Sequence, residues 1–78
     1  MRDLSALRKG EWGYVKELEA GENMKKRLMD LGFTKGVRVR CLLLSPFAGM
    51  RAYEVRGSMI ALRLRDARGI FLEEKRHE

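Results

Sequence analysis

The apolar positions of this chain follow two periods, and the places where one gives way to the other mark its elements. From Glu11 to Leu18 the period is two: Gly13 and Val15 share a face and Trp12 and Tyr14 lie opposite. Leu18 breaks the alternation, which predicts a bulge near Lys16. From about Met24 to Leu31 the period is helical, with Met24, Leu28 and Leu31 on one stripe and Asn23 placed to cap the N-terminus. Gly32 can take the left-handed conformation that ends a helix, and Phe33 behind it can supply the apolar contact of such a cap. Thr34-Lys35-Gly36 turns the chain, and period two returns: Val37, Val39, Cys41 and Leu43 alternate with Arg38, Arg40 and Leu42 in a strand that runs to Leu44.

Proline and glycine make Ser45-Pro46-Phe47-Ala48-Gly49 a loop. Arg51 to Arg56 then reads as a strand with Tyr53 and Val55 inward, Gly57-Ser58 as a hairpin turn, and Met59 to Leu64 as the returning strand with Ile60 and Leu62 inward. A turn over Arg65-Asp66-Ala67-Arg68-Gly69 leads to a last strand, Ile70-Phe71-Leu72. At the front, Leu4 and Leu7 share one side of a helical turn closed by Gly10, and both are expected to be buried. The result is a mainly β fold: a small closed or nearly closed β-barrel of about five strands, with one short α-helix at about residues 24–31 and short helical turns. Several large apolar residues point away from the expected core: Trp12, Tyr14, Leu42, Leu44, Phe47, Met50, Met59 and Phe71. Strand 37–44 is apolar on both faces at its end, and such a strand usually has something packed on its outer side. It also leaves open self-association into a homo-oligomer.

With 78 residues the chain makes one domain, expected over 1–72, followed by a charged tail at 73–78 that frays. Hydrophobic residues make up 45% and charged residues 36%, a composition that folds rather than stays disordered. The single cysteine excludes an intramolecular disulfide and a multi-cysteine zinc site, which favours the cytoplasm. Arg2 and Asp3 are followed by no apolar run of the length an export signal needs, and Leu42-Leu43-Leu44 is far short of the about 20 residues that cross a bilayer. The net charge of +6 suggests attraction to something acidic without saying whether that is nucleic acid, a membrane surface or a protein. Lys25 and Lys26 lie near the positive end of the expected helix and Asp30 in its last turn, against the helix dipole, so this basic edge is either solvated or turned to a partner.

An enzyme of this size would need a nucleophile with a base, paired carboxylates in a cleft, or a metal with an open position, and the sequence indicates none. Cys41 alternates with core positions and reads as a buried, inert thiol. No glycine sits in a phosphate-cradling pattern. Glu73, Glu74, His77 and Glu78 could hold a cation together, but a tail with nothing to orient it makes a poor site, so no metal or cofactor is expected. Trp12, Tyr14, Phe47 and Tyr53 on a basic barrel could stack on bases, yet the arginines alternate with apolar residues as solvent faces do, and nucleic acid is not the expected partner.

Leu4-Ser5-Ala6-Leu7-Arg8-Lys9-Gly10, then Arg27-Leu28-Met29-Asp30-Leu31-Gly32-Phe33-Thr34-Lys35-Gly36, then Ile60-Ala61-Leu62-Arg63 with Ala67 and Ile70, resemble the FeoA-type ferrous iron transport proteins. The resemblance runs from about Leu4 to Leu72, and its most specific part is Arg-Leu-x-x-Leu-Gly-x-x-x-Gly at 27–36. It implies an SH3-like β-barrel and a non-enzymatic cytoplasmic accessory protein. Such a protein acts with FeoB, the membrane permease of ferrous iron uptake, and so is held at the inner face of the membrane through its partner. Similar domains also end iron- or manganese-dependent repressors, and with no DNA-binding domain attached the transport version is the expected one. Residues that read Gly-Asp-Pro in much of the family are Ala48-Gly49-Met50 here, a departure in the loop. Resemblance and outward apolar residues together give Lys25, Lys26, Leu42, Leu44, Phe47 and Met50 as candidate partner contacts. The alternatives are a basic nucleic-acid-binding module and a regulator that senses metal directly.

Overall fold

Both periods of the sequence become regular structure. The computed structural model describes residues 2–44 and 49–74. A 3-10 turn at Leu4–Ala6 is followed by β1 (Trp12–Leu18), α1 (Glu22–Asp30), β2 (Arg38–Leu44), β3 (Met50–Val55), β4 (Ser58–Arg63), a short helix α2 (Leu64–Ala67) and β5 (Ile70–Leu72). The strands pair antiparallel in the order β4-β3-β2-β1-β5. Residues from every strand meet in one apolar cluster: Val15 and Leu18, Val39 and Cys41, Tyr53 and Val55, Leu62, Ile70 and Leu72. A flat sheet could not do this, so the sheet curls into a barrel with β4 and β5 as its two edges. Leu4 and Leu7 close one end, and the Tyr53 hydroxyl, inside the core, donates to the Leu4 carbonyl at 3.2 Å.

The helix ends as its sequence dictates. Gly32 has φ +112°, its N–H donates to the Met29 carbonyl, and the Phe33 N–H donates to the Leu28 carbonyl, each at 3.0 Å. These are the paired bonds of a glycine C-cap, and Phe33 and Leu28 are buried in the same cluster. Its start differs from expectation. Gly21 rather than Asn23 is the N-cap, with no side-chain bond, and Glu22 falls in the first turn, where its carboxylate suits the dipole and offsets part of the unfavourable placement of Lys25 and Lys26. Leu31, expected on the buried stripe, is the C-cap residue and 36% exposed.

The bulge in β1 falls between Val15 and Glu17, as the break at Leu18 requires, so Val15 and Leu18 both turn inward. A second bulge, in β2 between Cys41 and Leu43, overturns the simple alternation there. With an extra residue on one strand, Leu43 swings to the outer face, paired with Ala52 and 50% exposed, while Leu42 is half-buried. The β3–β4 turn is Arg56-Gly57, one residue earlier than expected. Both residues have positive φ, +51° and +78°, and the strands pair from Val55 and Ser58 onward. That is the mirror-image turn whose twist matches an antiparallel ribbon. Among the described residues no helix is long and apolar enough to cross a membrane.

Candidate functional site

Residues at positions i, i+3, i+4 and i+7 of one face of α1, namely Met24, Arg27, Leu28 and Leu31, look across a groove at Ala61, Leu62 and Arg63 of β4. Met50 of β3 with Arg65 and Asp66 of α2 completes the lining, and the space is about 240 Å³. The cap at Gly32–Phe33 fixes one end of the helix to the core, and the helix is thereby held beside the edge of the sheet. Leu28 is buried at the floor, whereas Leu31 and Met50 keep 36% and 39% of their surface. Three arginines against one aspartate leave the groove positive.

The opposite flank of α1 forms a second groove of about 230 Å³, where Lys16, Lys25 and Lys35 surround Leu18, Met29 and Phe33. The outer sheet face carries a third feature. Trp12, Arg40, Glu54 and Met59 form one cross-strand row, with the Arg40 Nε 3.9 Å from Glu54 Oε1. The Arg38 guanidinium lies 4.0 Å from the Trp12 ring centroid and that of Arg40 5.4 Å, so arginine covers ring surface that a stacked base would use. Next to it Leu43, Ala52 and Ala61 make a second, apolar row.

The candidate contacts are thus distributed. Met50 lines the first groove and Lys25 the second, on either flank of α1, and Lys26 is exposed on the helix. Leu42 sits half-buried at the β2 bulge, Leu44 pairs with Arg51 through the backbone, and Phe47 lies outside the described residues. Sequence reasoning missed Arg27, Arg63 and Arg65 as groove residues. The helical stripe through Met24 and Leu31 was the available signal, but it reads equally as core.

Three titratable groups, Glu11, Cys41 and Tyr53, are perturbed by the fold. The Glu11 carboxylate accepts from the Arg8 N–H at 2.9 Å and from the Arg2 guanidinium at 3.0 Å, and these bonds, the backbone one foremost, hold its pKa below the usual value. Burial pushes the Cys41 thiol up. Burial also pushes the Tyr53 phenol up, to about 12. Among the described residues no three of His, Cys, Asp and Glu come together as a metal site. His77 and Glu78 of the candidate tail cluster lie outside those residues.

Comparison with known proteins gives a consistent picture. The FeoA domain family matches residues 2–74. The solution structure of the FeoA protein from Chlorobium tepidum superposes with a TM-score of 0.85 at 28% identity, over 91% of this chain and 68% of that one. FeoA of Stenotrophomonas maltophilia, solved with zinc and described as a procaryotic SH3 domain protein and a candidate activating factor of ferrous iron transport, gives 0.82 at 26% identity, over 94% and 91%. A manganese-dependent transcriptional repressor gives 0.82 at 28% identity over 91% of this chain, but only 40% of the repressor is spanned. No curated protein matches the sequence.

Proposed function

This chain belongs to the FeoA family, and from that premise we propose that it is a non-catalytic accessory protein of ferrous iron uptake that binds the cytoplasmic part of a FeoB-type permease. In this reading the single barrel of residues 1–72 acts from the cytoplasm and reaches the inner membrane face through its partner. The observation that supports it is the match over residues 2–74 joined to large apolar side chains held in solvent on β2, β3 and β4. Leu43 is 50% exposed, Met50 39% and Met59 72%. These exposed apolar side chains come from three adjacent strands, and apolar surface of this kind is what a protein contact uses. Lys25, Lys26, Leu42, Leu44, Phe47 and Met50 remain the proposed contacts, with Met50 and Lys25 bringing the two flanks of α1 into the interface.

Affinity capture on membranes carrying the permease tests this. The triple variant Lys25→Glu, Lys26→Glu, Met50→Asp is expected to recover the permease roughly tenfold less well than the wild type, the effect of losing about 1.4 kcal/mol of binding. Equal recovery would place the contact elsewhere. Titration with single-stranded and duplex oligonucleotides separates the rival class, since tight binding with a steep salt dependence belongs to a nucleic-acid module and contradicts a permease partner.

A further inference from the structure

We propose that the groove between α1 and β4 receives an extended acidic segment of a protein partner, which adds to β4 as a new strand. The proposal rests on the protein-binding reading above and specifies how the contact is made.

Among the described residues β4 is an edge strand whose one neighbour is β3. The Arg56-Gly57 turn fixes which of its backbone groups are used. In a two-residue turn of this type the closing pair, here Val55 and Ser58, exchanges both its hydrogen bonds, and alternate pairs along the ladder do the same. Tyr53 with Ile60 and Arg51 with Leu62 are therefore the bonded pairs. Met59 opposite Glu54 and Ala61 opposite Ala52 turn their N–H and C=O away from β3, toward the open side. Neither residue has a backbone partner there among the described residues. An edge of this kind is a template for another strand unless something blunts it.

Charge and shape define the segment. A strand beside β4 would alternate its side chains between two faces. One set would meet Met24 and Leu31, with Leu28 and Leu62 buried behind them, while the other would lie beside Ala61 and Arg63, with Arg27 and Arg65 at the same groove. Apolar and acidic residues in alternation complement that surface, and a basic segment would be repelled. A polyproline-type ligand would leave the Ala61 amide and carbonyl unpaired, which disfavours it.

The probe is an eight-residue peptide of alternating leucine and glutamate, titrated into the isotope-labelled full chain and followed by amide NMR and hydrogen exchange. Saturable shifts at Met59, Ala61 and Arg63 are expected, with exchange of the Ala61 amide slowed about tenfold or more at saturation. The same peptide with lysine for glutamate should bind about tenfold more weakly, and Arg27→Glu with Arg63→Glu should reverse that preference. N-methylation of only the leucines or only the glutamates blocks one backbone edge at a time, so one of the two peptides should lose binding and the other keep it. Equal binding of the two methylated peptides, or an unprotected Ala61 amide at saturation, overturns strand addition. If the peptide fails while the wild-type chain still captures the permease, strand addition alone is wrong. If the peptide binds as described while the permease is not captured, the groove stands and the permease reading falls.

Discussion

Tyr53 shows how one side chain can join two distant parts of a small chain. Its ring fills the barrel and its hydroxyl meets the Leu4 carbonyl, tying β3 to the N-terminal turn. Replacing it with phenylalanine keeps the packing and leaves that carbonyl without its donor, so Tyr53→Phe is expected to cost about 1 kcal/mol in chemical denaturation. The phenol titrates near 10 when unfolded and about 12 in the fold, so its contribution is full below 10 and is lost as pH rises from there toward 12. Alkaline unfolding of the wild type should therefore begin in that window, with the tyrosinate absorbance of Tyr53 appearing only on unfolding. Glu11 has the opposite sign. Its pKa is depressed by the Arg8 amide and the Arg2 guanidinium, so its contribution is present above the ordinary value of 4.5 and lost as pH falls through the lower folded value. Glu11→Gln should be less stable than the wild type by under about 1 kcal/mol at neutral pH. That gap should close in acid; a gap that stayed constant down to the acid transition would mean that the charge of Glu11 does nothing.

At the scale of elements, local chemistry that leaves a signature in sequence was legible and geometry set by pairing was not. The cap of α1 was readable because Gly32 and Phe33 are the residue types such a cap needs. The β1 bulge was readable because Leu18 breaks a clear alternation. The β2 bulge was not, since Leu42, Leu43 and Leu44 are identical in hydrophobicity and carry no period to break. The β3–β4 turn was misplaced by one residue because arginine is an unusual occupant of a left-handed position, and the better local signal lay at Gly57-Ser58. That turn carries its own prediction. Asparagine enters this conformation more readily than arginine, while the Arg56 guanidinium makes an exposed bond of 3.4 Å to the Thr34 hydroxyl. Arg56→Asn should stabilise the protein by about 0.5 kcal/mol, visible as a higher melting temperature. A destabilised variant would mean that the Thr34 bond matters more than the backbone. Of the candidate site, Met50 was found from its outward position, but the arginines around it were hidden, because only the placement of α1 beside β4 brings helix, strand and α2 residues to one groove.

For the whole molecule, a barrel closed over a small apolar core leaves an open strand edge, a positive groove and exposed methionine and leucine side chains on the outside. The family match accounts for the barrel and ties the chain to ferrous iron transport, and the surface features are what a protein partner of that system would meet. The net charge of +6 also permits loose attachment to anionic lipid, which capture experiments alone would not separate from a specific contact. Cosedimentation of the wild-type chain at physiological salt, with membranes containing the FeoB-type permease and with otherwise identical membranes lacking it, makes that separation. Saturable sedimentation with the permease-containing membranes alone is the expected result; equal amounts on both, or none on either, would contradict the account.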